Sequence, residues 1–71
     1  MHFNHLIKII KERREMLKVT QEVLSDLSGV GLRTLKQFEG GKGNPTLQTV
    51  SKLADALGLE LTFQVKKTTL N

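Results

Sequence analysis

The stretch that decides the fold reads Thr20-Gln21-Glu22-Val23-Leu24-Ser25-Asp26-Leu27-Ser28, then Gly29-Val30-Gly31, then Leu32-Arg33-Thr34-Leu35-Lys36-Gln37-Phe38-Glu39. Thr20 precedes a short apolar pattern, Val23, Leu24 and Leu27. Its hydroxyl can accept a hydrogen bond from one of the unpaired amides at a helix start. Glu22 in the first turn suits the positive end of a helix dipole. The pattern stops at Ser28 and Gly29, and glycine takes the left-handed backbone of a helix end at little cost. A second short run follows Gly31, with Leu35 and Phe38 on one face and Arg33, Lys36 and Gln37 on others. Ser25 is small where two such helices would cross closely.

Two short helices joined by a glycine-containing turn are the plan of a helix-turn-helix. The flanking residues extend it into a helical domain. Upstream, Phe3, Leu6, Ile7, Ile10 and Leu17 follow helical spacing, with Ile9 to one side. Asn4 is the expected N-cap, and Lys8, Lys11, Glu12, Arg13 and Glu15 form the charged face. Downstream, Gly40-Gly41-Lys42-Gly43-Asn44-Pro45 breaks regular structure. Thr46 then caps a fourth helix carrying Leu47, Val50, Leu53, Ala54 and Leu57, which Gly58 closes.

Beyond Gly58 the period changes to two. Leu61, Phe63 and Val65 alternate with Glu60, Thr62, Gln64 and Lys66, the pattern of one strand. A single strand leaves its amides and carbonyls without ladder partners. The simplest partner is the same strand of a second molecule, antiparallel across a two-fold axis, with Leu61, Phe63 and Val65 as dimerisation residues. Two alternatives stay open: an extended tail packed on its own helices, or pairing with a short N-terminal strand around His2 to Asn4.

The chain has 71 residues, a formal net charge of +4 and no cysteine. That length suits one small domain, with residues 1–59 as the helix-turn-helix part and 60–71 as the strand and tail. A thin core would gain from a second copy. The longest apolar runs are dipeptides such as Leu6-Ile7, too short for a membrane span or a signal-peptide core. The lack of cysteine excludes a disulfide framework and fits a reducing cytoplasm. The pI near 9.8 points to an anionic partner, nucleic acid first, against the plainer reading of a solubilised helical surface.

Other chemistries fail on their residues. His2 and His5 have the spacing of two metal ligands, but no third is apparent, so no metal site is expected. Gly40-Gly41-Lys42-Gly43 is not a phosphate loop, because Lys36 or Gln37 stands where the loop's first glycine is required and Gly43 where Ser or Thr must follow the lysine. No nucleophile–base constellation exists, which excludes an enzyme. No cofactor is implied.

Six pieces in order carry a more specific signal. They are Thr20 to Ser25, Gly29-Val30-Gly31, Thr34-Leu35, Phe38 to Lys42, Asn44-Pro45-Thr46-Leu47 and Leu53 to Gly58. Together they resemble the Xre/Cro-C1 family of helix-turn-helix repressors over roughly residues 5–59. The segment after Gly58 looks more like the HipB-type antitoxin branch. The resemblance implies a mainly α fold, a lambda-repressor-like domain of four to five helices, to which the C-terminal strand adds an intersubunit pairing. It implies that the helix Leu32–Glu39 lies in the major groove, with Leu32, Arg33 and Gln37 at base edges. Arg33 suits guanine and Gln37 suits adenine, whereas Leu32 can only touch a thymine methyl. Arg33 and Gln37 also read as solvated surface, and Leu32 as packing on its neighbour. Thr34 and Lys36 are expected at phosphates, with Thr20 and Gln21 at one flank of the backbone and Lys42, Gly43 and Asn44 at the other. Arg14 and Glu39 resemble the family's internal ion pair.

Departures are Gly31 where Ser or Thr often caps, Leu32 where a polar reader is common, Phe38 for a smaller aliphatic, and Val23 for an acidic capping-box residue. The expected function is that of a cytoplasmic homodimer binding double-stranded DNA at an inverted repeat and repressing transcription. The alternative is an antitoxin that also binds a toxin protein and regulates its own operon.

Overall fold

The computed structural model describes residues 3–66. Four helices follow in order: α1 Asn4–Met16, α2 Gln21–Ser28, α3 Leu32–Glu39 and α4 Leu47–Ala56. Helix α2 packs against both α3 and α4, and α1 packs against α3. Ile10, Leu24, Val30, Leu35, Phe38, Val50, Leu53 and Leu57 meet in one core. None of the helices among the described residues is long and apolar enough to cross a membrane.

The hydroxyl caps stand where the local pattern places them. Thr20 Oγ1 accepts from the Val23 amide at 3.1 Å and Thr46 Oγ1 from the Thr49 amide at 3.0 Å. Gly29 ends α2 with φ +77° and Gly58 follows α4 with φ +73°, both in the left-handed region. Helix α3 starts at Gly31 without a side-chain cap.

Asn4 is not the N-cap of α1. It is the first helical residue, and Phe3 precedes it with no side-chain cap bond. Phe3 already has helical dihedrals, and its carbonyl accepts from the Ile7 amide at 2.9 Å, so the turn begins one residue early. The apolar pattern of α2 also overstates its buried face: Leu24 is fully buried, whereas Val23 and Leu27 are exposed. An eight-residue helix makes little more than two turns, and Val30 in the turn supplies the other buried residue here. Leu47 is likewise exposed.

The expected strand is corrected too. Residues 61–66 form no strand. A strand exists through its ladder, and no segment among the described residues lies alongside to provide one. Leu61, Phe63 and Val65 are exposed, Val65 fully. The N-terminal pairing alternative falls in part outside the described residues, because His2 is not among them; Asn4 is helical.

Two features escape local pattern reading. Lys18 takes a left-handed backbone, φ +57°, after α1. The Val19 amide donates to the Arg14 carbonyl at 3.1 Å and the Lys18 amide to Glu15 at 3.0 Å, closing the helix end. Left-handed backbone costs a residue with a Cβ about 1 kcal/mol relative to glycine. Lys18→Gly is therefore expected to stabilise the domain by about 0.5–1 kcal/mol, read as a raised denaturation midpoint. Second, Arg13 Nε donates to the Leu57 carbonyl at 3.0 Å and so caps the end of α4.

Candidate nucleic-acid interface

Helix α3 has two sharply different sides. Leu35, Phe38 and Glu39 are buried, while Arg33, Lys36 and Gln37 are exposed and Leu32 is half-buried. Leu32, Arg33, Lys36 and Gln37 line a shallow trench of about 550 Å³ with Gly40 and Lys42. Cations at Arg33, Lys36 and Lys42 share this surface. Among the described residues the single ion pair is Arg14–Glu39, so none of these three is paired with a carboxylate there.

A second, smaller cleft lies between α3 and the start of α4. Thr34, Gln37, Lys42, Gly43, Asn44 and Thr49 are among its walls. Gln37 and Lys42 thus border both recesses. Thr34 groups with the loop, whereas Lys36 groups with Leu32, Arg33 and Gln37. The i, i+3 and i+4 spacing of Arg33, Lys36 and Gln37 already held that grouping.

The loop after α3 is tied to the helix. The Lys42 amide donates to the Gln37 carbonyl at 2.8 Å and the Gly41 amide to Phe38 at 3.0 Å. Gly41 and Gly43 have φ +75° and +76°, which lets the chain turn sharply there without strain.

Behind α3 sits a polar network. Arg14 Nε donates to Glu39 Oε2 at 2.7 Å, and Arg14 Nη2 to Glu39 Oε1 at 2.9 Å. Arg14 Nη1 donates to the Val19 carbonyl at 2.8 Å. Gln21 Nε2 donates to Glu39 Oε1 at 3.1 Å. The planar guanidinium fork matches the carboxylate with two parallel bonds. The hydrogen bond to Glu39 raises the Arg14 pKa above its ordinary value, with burial opposing. The network joins α1, the start of α2 and the end of α3. Gln21 thereby has one amide hydrogen engaged inside the protein, a bond that its expected role at phosphate did not include. Thr20 is exposed beside it, its hydroxyl used as the cap.

The turn has a polar fastening as well. Ser25 Oγ donates to the Val30 carbonyl at 2.6 Å and the Val30 amide donates to Ser28 Oγ at 3.1 Å. Ser25 therefore holds the turn besides being small. Among the described residues no buried side-chain nitrogen or oxygen lacks a partner, and no cluster of potential metal ligands occurs. His2 lies outside the described residues. Leu61, Phe63 and Val65 are not part of the trench. Leu61 lines a cleft with Leu6 and Ile9, and Phe63 lines another with Phe3, Leu6 and Leu47.

Comparison with known proteins places the chain. A family model described as helix-turn-helix matches residues 10–64. The cryptic phage CTXphi transcriptional repressor RstR of Vibrio cholerae is 38% identical, over 73% of this chain and 50% of its own length. An HTH-type transcriptional regulator of Haemophilus influenzae is 39% identical, over 82% of this chain and 59% of its own. Another, from Methanothermobacter thermautotrophicus, is 38% identical, over 73% of this chain and 75% of its own. The chain thus spans between half and three-fifths of the first two relatives. With a match across most of its length, on a fold whose second and third helices have the expected turn between them, the chain belongs to the helix-turn-helix family of Xre/Cro-C1 type.

Proposed function

We propose that the protein is a DNA-binding transcriptional regulator, a cytoplasmic repressor that binds as a homodimer to an inverted-repeat operator. The observation that carries this reading is the trench on α3, where Leu32, Arg33, Lys36 and Gln37 stand exposed or half-exposed on a helix whose opposite side is buried. A helix docked in the major groove needs this arrangement: one face anchored in the domain and the other free to meet base edges. Arg33 grips guanine O6 and N7, Gln37 pairs with adenine, and Leu32 covers a thymine methyl. Thr20 and Gln21 at the start of α2, with Thr34, Lys36, Lys42, Gly43 and Asn44, hold the flanking phosphates, which sets register without reading sequence. The regulators and the repressor among its relatives support this reading. Two copies related by a two-fold axis place their α3 helices about 34–36 Å apart, one turn of DNA.

Selection of bound duplexes from a random pool tests this. Enrichment of an inverted repeat is the expected result, and absence of any enriched sequence overturns the reading. On the enriched site, Lys42→Ala is expected to weaken all sequences alike and to flatten the salt dependence by about one unit of log–log slope per half-site, about two for the dimer. Titrations at several salt concentrations measure both.

A further inference from the structure

Leu32 is the one side chain of the trench that cannot form a hydrogen bond. Arg33, Lys36 and Gln37 beside it all carry donors, whereas Leu32 carries only carbon. It opens α3 and is half-buried, so the domain holds part of it and the rest faces the trench. Gly31 before it is exposed, and a Cβ added there would meet nothing within 4 Å. Neither residue 31 nor residue 32 thus presents a hydroxyl or an amide side chain to a base at the start of this helix. Lys36, one turn on, flanks Leu32 with a methylene stem whose charge sits at the far end. Thymine and cytosine differ in the major groove in two ways. Thymine presents the O4 acceptor and a C5 methyl group, cytosine the N4 donor and a bare C5. A leucine is blind to the first difference and sensitive to the second.

We propose that Leu32 reads the C5 methyl group itself and not the base that bears it, so that DNA binding responds to cytosine methylation. This rests on the DNA-binding reading above and deepens it at one position of the site. 5-Methylcytosine carries the same methyl group as thymine at the same place in the groove, opposite guanine instead of adenine. At the position that Leu32 meets, a methylated cytosine supplies the apolar contact that plain cytosine lacks. Uracil, by the same token, loses the contact that thymine makes. Arg33 and Gln37 still select their own bases by hydrogen bonds, so methylation alters affinity at one position and leaves the rest of the sequence preference intact.

The size of the effect follows from one methyl group leaving water for the exposed carbons of the leucine, which strengthens binding roughly fourfold. Two half-sites on one operator multiply this to roughly fifteenfold. A cytosine-bearing site therefore passes from weak to strong occupancy when that one carbon is methylated in both halves. A thymine-bearing site is strong at all times. The half-buried setting of Leu32 serves this role, because a side chain already held by its own domain loses little freedom on meeting the methyl group.

Titration of the full chain against synthetic duplexes of the selected operator tests this. The duplexes are compared in pairs that differ by the methyl group alone: thymine against uracil, each opposite adenine, and 5-methylcytosine against cytosine, each opposite guanine. Each pair is placed at every half-site position in turn, on either strand and in both halves. At one position the methylated member of both pairs is expected to bind roughly fifteenfold tighter. Leu32→Ala is expected to bring both ratios toward one at that position, whereas Leu32→Met, apolar and of similar reach, keeps them. Each ratio compares two duplexes with the same protein, so any loss of folding in a variant cancels. Equal affinity within both pairs at every position overturns the methyl reading and leaves DNA binding standing. So does a methyl effect that Leu32→Ala leaves intact, or a response to thymine that 5-methylcytosine does not reproduce. A chain that enriches no duplex at all overturns the DNA-binding reading itself.

Discussion

Glu39→Gln is expected to destabilise the domain by about 3 kcal/mol, a fall in melting temperature of roughly 10–20 °C for a chain of this size. The carboxylate takes hydrogen bonds from Arg14 Nε, Arg14 Nη2 and Gln21 Nε2. Its side chain is only 3% exposed and that of Arg14 only 12%. An amide has one accepting oxygen where the carboxylate has two. Its NH2 group would point at a donor from either Arg14 or Gln21, and the guanidinium would keep its charge with too few acceptors. Removing one partner of a buried pair costs far more than the pair contributes, since the remaining charge stays desolvated. The double change Arg14→Met with Glu39→Leu is therefore expected to recover much of the loss. A Glu39→Gln variant that melts with the wild type would show that water already satisfies Arg14.

Arg33→Ala is expected to leave the melting temperature unchanged, because the residue is exposed and faces the trench. On the selected operator it is expected to cost about 1–3 kcal/mol per half-site and to abolish preference at one base position. The loss is confined to that position, since a bidentate guanidinium contact discriminates guanine from the other bases, while the phosphate contacts keep the protein in register. Repeating the selection with the variant measures it. An unchanged base preference with uniformly weaker binding would move Arg33 from the base edges to the backbone. Applied to Lys36, the same comparison decides whether that residue acts with its trench neighbours or with the phosphate contacts.

What was legible in the sequence was local. Thr20, Gly29, Thr46 and Gly58 mark helix ends because a cap is a matter of one side chain, or one φ angle, and the nearest few amides. The buried residues Leu35, Phe38, Val50 and Leu53 follow from helical spacing, and the outward face of α3 follows from the same spacing. The Arg14–Glu39 proximity was legible only through the family resemblance. The two residues are far apart in sequence, and no periodicity links them.

Tertiary structure decided the rest, because it depends on what each element meets. Val23 and Leu27 fit an apolar pattern as well as Leu24 does, yet only Leu24 is buried. Arg13 looked like solvated charge until the fold brought the Leu57 carbonyl to it. Gln21 has one bond turned inward by the arrival of Glu39. Asn4 lost its expected capping role to a helix that starts one residue early. The strand after Gly58 failed for the same kind of reason. Alternation records which side chains can share a face, but a ladder needs a second backbone. The sequence by itself therefore determined the four helices, the ends marked by Thr20, Gly29, Thr46 and Gly58, and the exposed face of α3, all properties of neighbours along the chain. Only the fold decided which apolar residues are covered, which charges are paired and which backbone is left open, because burial and pairing belong to neighbours in space.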